Sequence, residues 1–445
     1  MTATAAFTLD DGQHRFCADV RALATERLLP LTHAHGAGGF PPDGTTRPGP
    51  PTATSSAPDG VGGAGRGGSL PSRGDRLLPE GRSPRVNRPL LEEMGRLGLL
   101  ARLFPGVGAG GASGSEAGGG LRQAAAMDLC LLRESLAQVS TEAETALALQ
   151  GLGAYPVLQS GSEAQIGRWL PEVAAGRAVA AFALSEPGAG SDAAALALEA
   201  KAEAGGWRLS GEKCWISNAP EADFYTVFAR TGPEAGARGV TAFLVPADRA
   251  GLGGEQLDMI SPHPIGRVLF DGVRVGPEDR LGEVGHGFRV AMRTLDLFRP
   301  SVGAFAVGMA QAALDAALVH AAEREAFGGP LLQLQSVGHR LAEMATRTEA
   351  ARLLVYAAAS AYDRQGGREE RGTGLHGPTG RAAMAKLFAT ETAQYVVDAA
   401  VQIHGARALR QGHLLEQLYR EVRAPRIYEG ASEVQLSIIA RELAR

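Results

Sequence analysis

Apolar residues recur at helical spacing along most of the chain but not in its middle. Within 7–35, Phe16, Val20, Leu23 and Arg27 fall at helical spacing, and Pro30 is expected to close that segment. Residues 36–84 are dense in Gly, Pro, Ser and Thr, offer little to bury, and read as a disordered insertion. Helical pattern resumes over 87–100, pauses at a glycine-rich loop over 106–120, and runs over 122–151 and 162–175. The texture changes at 178. AVAAFAL, KAEAGGWRLSGEKCWIS, DFYTVFAR, GVTAFLVPA and GRVLFDGVRV are short runs rich in β-branched and aromatic residues, separated by Gly, Pro and Asp. From 285 onward, long periodic segments cover 286–324, 331–365, 379–404 and 412–422, with a last helix starting near Ser432 and a polar interruption at 364–378. The pattern divides the chain into helical residues 1–177, a β domain over 178–284 and a helical bundle over 285–445, an α+β architecture without internal repeats.

Composition narrows the classes. A chain of 445 residues suggests about two to four structural units, large enough to form a core without disulfides or metals. The formal net charge is −4, which gives no electrostatic case for nucleic acid or an anionic membrane as partner. Arginines number 41 against three lysines, Lys201, Lys213 and Lys386, beside 60 glycines. This bias has the look of a GC-rich genome, so scattered arginines are not read as a binding patch. Cys17, Cys130 and Cys214 form no CxxC, which argues against a disulfide scaffold or a cysteine zinc site and fits a reducing compartment. No metal site is expected. The first residues, MTATAAFTLDDGQHRF, lack the basic-then-apolar order of a signal peptide, and a cytoplasmic location is expected. The most apolar stretch, 301–320, contains Gln311 and Asp315 and reads as a buried helix, not a membrane span.

Five segments carry candidate chemistry, each beside a plainer reading. SEPGAGSD (185–192) follows a strand. Its glycines and the hydroxyls of Ser185 and Ser191 suit a phosphate cradle or an ordinary polar turn. In GEKCWISN (211–218), Trp215 and Ser217 share a strand face, so Trp215 flanks a planar ring or fills a core. In LDLFRP (295–300), Asp296 and Arg299 stand three apart on a helix, as an ion pair on the surface or in a site. REAFGGPLLQLQ (324–335) turns between helices, with Arg324 placed for a pyrophosphate or simply satisfied at the corner. RAPRIYEGASE (423–433) leads into the last helix. Glu429 is a desolvated base, or an acid favoured by a helix N-terminus.

Taken in order, these segments resemble the acyl-CoA dehydrogenase family of flavoproteins. FALSEPGAGSD, GEKCWIS, LDLFRP with GMAQAALD, ER-x-x-FG with Gln335 eight residues after Phe327, QIHG and IYEG-x-x-E-x-Q carry the likeness across about 86–445. The resemblance implies an N-terminal helical domain, a small central β-barrel and a C-terminal four-helix bundle. It also implies FAD lying between the β domain and the C-terminal helices, completed by a neighbouring subunit of a homo-oligomer, a tetramer or at least a dimer. Phe182, Leu184 and Ser185 would line the flavin edge, with Trp215 against the ring, Ser217 at its edge and Ser191 near the pyrophosphate and the CoA entrance. Arg324, Phe327, Leu334 and Gln335 would serve the adjacent subunit's FAD. Gln402, Ile403, Gly405 and Ala406 would meet its adenosine half, with Ala431 and Glu433 also at the cofactor. Asp296, Arg299, Tyr428 and Gly430 would contact or orient the acyl-CoA.

The implied reaction is α,β-dehydrogenation to a trans-2-enoyl thioester in fatty acid or secondary metabolism. Glu429 is the implied base and flavin N5 the hydride acceptor, with the Glu429 N–H and a flavin ribityl hydroxyl polarising the thioester carbonyl. An electron-transfer flavoprotein is the implied reoxidant. The alternatives are the same reaction on an acyl carrier protein thioester and a non-catalytic FAD-binding relative. Some members place the base just before the helix arginine. Here that residue is Phe298, which leaves Glu429. Ala406 and Ala408 stand where the family usually has glycines, and Ala431 where threonine is common.

Overall fold

The computed structural model describes residues 9–35, 85–107, 125–232, 236–364 and 377–444. The expected disordered insertion at 36–84 lies outside the described residues, as do most of the glycine-rich loop at 106–120 and of the interruption at 364–378.

Helix α1 (Asp11–Leu23) starts on a capping box in which Asp10 accepts from the Gln13 N–H and the Gln13 side chain accepts from the Asp10 N–H. It passes through one π turn (Ala24–Leu28) into α2 (Leu29–His35). Pro30 therefore does not close the segment, contrary to the expectation from sequence. The π turn sends the Leu29 N–H back to the Ala24 carbonyl, so Pro30 enters where the ladder has already slipped. Helices α3 (Arg88–Arg96), α4 (Ala126–Ala137), α5 (Thr141–Ser160) and α6 (Glu163–Ala174) follow. The pattern over 122–151 is two helices, not one. Ser140 accepts from the Ala143 N–H at 3.2 Å and begins α5. The Asp363 carboxylate, distant in sequence, accepts from the first N–H groups of α4 at 2.7 and 3.0 Å.

The middle part is one eight-stranded sheet. Its strands are β1 (Ala180–Ala183), β2 (Glu199–Glu203), β3 (Gly206–Ser217), β4 (Phe224–Arg230), β5 (Val240–Pro246), β6 (Leu252–Gln256), β7 (Ile265–Val275) and β8 (Arg280–Leu281). They run in the order β6-β7-β3-β2-β4-β5-β8, with β1 parallel to β4. Among the described residues β6 and β8 do not pair, so the implied barrel is not closed by hydrogen bonds. The N-terminal helices grip this sheet with polar clamps. Gln150 on α5 bonds the Ala178 carbonyl and the Ala180 N–H, both at 2.8 Å, as an extra strand would. Arg88 on α3 forms a bidentate pair with Asp223 at 2.9 and 3.0 Å.

The C-terminal part comprises α7 (Gly287–Glu323), the short hairpin β9 (Glu325–Ala326) and β10 (Gly329–Pro330), then α8 (Gln335–Arg364), α9 (Pro378–His404), α10 (Leu414–Glu421) and α11 (Ser432–Leu443). The 37 residues of α7 extend about 55 Å. By length and composition α7 resembles a membrane span, yet most of its apolar stretch is buried inside the protein, against α4, α8 and α9. Small residues permit the close approach. A Cβ on Gly308 would lie 2.6 Å from both the Ala137 Cβ and the Glu134 carbonyl oxygen of α4. Gly308→Val is expected to lower stability by about 1–3 kcal/mol despite its better helix propensity, measured by chemical denaturation.

Candidate active site

The loop between α10 and α11 carries Glu429 in a left-handed conformation, φ +53°, followed by Gly430 at φ +97°. For a residue with a Cβ this costs about 1–3 kcal/mol and needs external support. Donors from three helices supply it. Arg299 Nε on α7 donates to the Glu429 carbonyl at 3.4 Å. Gln435 Nε2 on α11 donates to the Glu429 and Gly430 carbonyls at 3.4 and 2.9 Å. Lys386 Nζ on α9 donates to the Gly430 carbonyl at 2.7 Å. The Glu429 N–H has no acceptor among the described residues and stays available.

The Glu429 side chain is half-buried, with Oε2 shielded from solvent and without a hydrogen bond among the described residues. Burial pushes its pKa up, and Arg133, Lys386 and Arg299 oppose that shift, in that order. Arg133, on α4, is itself buried. It forms an ion pair with Glu144 of α5 and donates to Ser301 Oγ at 2.7 Å. Tyr428 is half-buried, and its hydroxyl pKa is pushed up by burial and then by Glu144. Phe298 is fully buried, edge-on to Tyr155.

Asp296 and Arg299 are joined at 3.0 Å and turned inward rather than lying on the surface. Arg299 of the pair also reaches the Glu429 carbonyl, so the pair adjoins the Glu429 loop. Away from Glu429, the start of the 185–192 loop is fixed by bonds from β3. Lys213 Nζ on β3 donates to the Leu184 carbonyl at 2.9 Å and to Glu186 at 2.8 Å, and the Cys214 N–H donates to the Ser185 carbonyl at 3.0 Å. Burial pulls the Lys213 ammonium down to about 8, opposed by Glu186. Phe182 packs on Phe228 with ring centroids 4.9 Å apart. A register shift in β3 between Lys213 and Ile216 puts Trp215 at φ +62° and turns its indole outward, 55% exposed. Ser185 and Ser217 are half-buried and Ser191 is exposed.

Apart from Ala431 and Glu433, the other expected cofactor residues lie toward the far ends of α7 and α9. Arg324 follows the last turn of α7, 25 residues beyond Arg299 and about 37 Å further along the axis. Phe327, at φ +56°, is 91% exposed at the tip of the β9–β10 turn. Leu334, half-buried, precedes α8, and Gln335, exposed, starts it. Gln402, Gly405 and Ala406 are exposed at the end of α9, with Ile403 half-buried. Nearby, His320 of α7 stacks on His404 with centroids 4.2 Å apart. Ala431 is the N-cap of α11 and supplies no side-chain cap, whereas a threonine there would; exposed Glu433 stands in that helix's first turn.

Sequence reading missed Arg133, Lys386 and Gln435. For the first two a signal existed. Each is a lone cation inside an apolar helical run, DLCLLRESL and AAMAKLFA. Gln435, only a letter in a motif, had no such mark.

Three family models match consecutive stretches of the chain. They are the acyl-CoA dehydrogenase N-terminal domain over 78–177, the middle domain over 181–273 and the C-terminal domain over 285–444. A probable acyl-CoA dehydrogenase of Mycobacterium leprae is 40% identical over 319 residues, 71% of this chain and 80% of that one. Cyclohexane-1-carbonyl-CoA dehydrogenase of Geobacter metallireducens is 36% identical over 352 residues, 78% of this chain and 87% of that one. Butyryl-CoA dehydrogenase of Megasphaera elsdenii superposes with a TM-score of 0.77 at 30% identity, covering 99% of this chain and 100% of that one.

The matched family is FAD-dependent. The residues present fit a flavin. An indole is held outward on strained backbone beside the 185–192 loop, and a Cβ at Gly188 or Gly190 in that loop would meet nothing within 4 Å.

A carboxyl whose folded pKa lies above its unfolded value of about 4.3 weakens the fold as pH rises through that interval. Glu429→Gln is therefore expected to raise Tm at pH 7, the gain closing near about pH 4. Equal melting temperatures for the two proteins at neutral pH would contradict the desolvated carboxylate.

Proposed function

Because the chain belongs to the acyl-CoA dehydrogenase family, we propose that it oxidises an acyl-CoA thioester to the trans-2-enoyl thioester with Glu429 as base. The observation that carries this reading is the Glu429 carboxylate itself. It is half-buried, with one oxygen unpaired, on a loop braced by donors from α7, α9 and α11. FAD, when bound, supplies the hydride acceptor for the β-carbon.

The chain's own residues contribute the rest. Desolvation keeps the Glu429 carboxylate basic enough to accept a weakly acidic α-proton, while Arg133, Lys386 and Arg299 keep it ionised before the proton arrives. The free Glu429 N–H supports a donor role toward the thioester carbonyl, where negative charge develops as that proton leaves. The buried ring of Phe298 offers no second proton acceptor beside Arg299.

The wider reading follows the same resemblance. The reoxidant is an electron-transfer flavoprotein and the location is the cytoplasm, in keeping with three buried, unpaired cysteines. The enzyme works as a homo-oligomer, a reading supported by the position of Arg324 past the last turn of α7, about 37 Å along the axis from the Arg299 that reaches the Glu429 loop. Phe327, almost fully exposed, belongs at that subunit contact. Phe327→Asp is expected to yield a smaller assembly in sedimentation analysis and to retain less FAD.

The main test is anaerobic addition of short, medium and branched acyl-CoAs to the purified flavoprotein, followed by absorbance. Bleaching by one class identifies the substrate, and bleaching by none redirects the search to carrier-protein thioesters. Glu429→Gln is expected to keep its flavin and to slow bleaching at least about a hundredfold. A Gln variant that bleaches at the wild-type rate would remove Glu429 from the role of base.

A further inference from the structure

Arginine outnumbers lysine 41 to three in this chain. Of those three lysines, Lys201 is exposed on β2, whereas Lys213 and Lys386 are 0% exposed. A chain that uses arginine almost everywhere else keeps lysine at two of its most enclosed cationic positions. The two cations differ in shape. Guanidinium is a planar fork with five donors, and ammonium is a compact point charge. Both buried lysines aim that point at a backbone carbonyl, Lys213 at Leu184 and Lys386 at Gly430.

Lys386 is the one next to the chemistry. Its 2.7 Å bond to the Gly430 carbonyl is the shortest of the four that brace the base loop. That carbonyl belongs to the residue directly after Glu429, where the backbone stays left-handed for two successive residues. We propose that Lys386 is a positioning residue for the catalytic base: its ammonium anchors the Gly430 carbonyl, holding the strained Glu429–Gly430 segment so that the carboxylate faces substrate and the Glu429 N–H stays free. The proposal rests on the reading of Glu429 as the base.

The charges around the pair support a second contribution. Burial pulls the Lys386 ammonium down to about 8. Glu429 acts against that shift, Arg299 of α7 with it, then Glu391 of α9 against it and Arg426 with it. On the Glu429 side, the charges that act are Arg133 of α4, Lys386 and Arg299. Asp296 of α7 is occupied by Arg299, and Glu391 by Arg426 and Ser432. Below about pH 8 Lys386 is therefore a cation that favours the ionised base. Its loss lifts the carboxylate pKa further in the direction burial already sets.

The experiment uses the FAD-loaded enzyme and the acyl-CoA that bleaches it best, with Lys386→Met, Lys386→Gln, Lys386→Arg and Glu429→Gln side by side. The readouts are limiting rate, substrate KM, flavin content and the pH profile of flavin reduction. Lys386→Met and Lys386→Gln are expected to lower the limiting rate at least about tenfold with little change in KM, and to move the acid limb to higher pH. Lys386→Arg keeps the charge but not the fit. Its limiting rate is expected to fall while its acid limb stays near the wild-type position.

Wild-type rates and an unmoved acid limb in both neutral variants would overturn the positioning role while leaving the base assignment intact. A Glu429→Gln enzyme as fast as wild type would overturn the base, and this proposal with it. Failure of all three lysine variants to fold or retain flavin would make Lys386 a residue of general stability and would equally overturn the proposal.

Discussion

A carboxylate that is to remove a carbon-bound proton, the role proposed for Glu429, must be kept partly dry, and the packing around that side chain meets this requirement. Dry carboxylates take up protons, so the same surroundings that make Glu429 basic threaten to neutralise it. Three cations from three different helices oppose this: Arg133 on α4, Arg299 on α7 and Lys386 on α9. Two of them also hold the loop itself, through the Glu429 and Gly430 carbonyls. Electrostatic support and backbone support are thus largely supplied by the same side chains. The buried pair of Arg133 with Glu144 fits this arrangement, since an unpaired guanidinium at that depth would be expensive.

Those cations can converge only because the helices that carry them pack closely. Helix α7 runs through the interior with small residues at its contacts, and Gly308 lets it meet the backbone of α4. One consequence is reach. A helix of this length takes Arg299 to the Glu429 loop and ends at Arg324, about 37 Å further along its axis. The outward-facing Trp215 and Phe327, both on strained backbone, are apolar surfaces that a monomer would gain nothing by exposing.

The layout of helices, sheet and helices was legible in the sequence because periodicity changes sharply near 178 and 285. Local ends were less legible. Pro30 read as a terminator because proline lacks a donor, but a π turn just before it had shifted the ladder. The helix break at Ser140 was hidden by apolar residues that keep a helical rhythm across it. Within the site, the motif pointed to Glu429, and its carboxylate proves to be partly buried. The inward direction of Asp296 and Arg299 was not, since three-residue spacing is the same for a surface pair and a buried one. Trp215 pointed the other way. The bland expectation for a tryptophan on a strand is the core, and a local bulge turned it out.

Compositional drift itself carries information once burial is known. On a surface, arginine and lysine exchange at little energetic consequence, so a bias toward arginine says nothing about individual positions. In the interior the fork of a guanidinium needs several acceptors, and Arg133 finds them in Glu144 and Ser301. Among the described residues Lys386 has one acceptor, the Gly430 carbonyl, on a segment already bent into an unfavourable conformation. A planar group there would have to displace the loop it is meant to hold. The retention of lysine at that point therefore follows from the geometry of the base loop, and the same geometry makes the ammonium's charge available to Glu429.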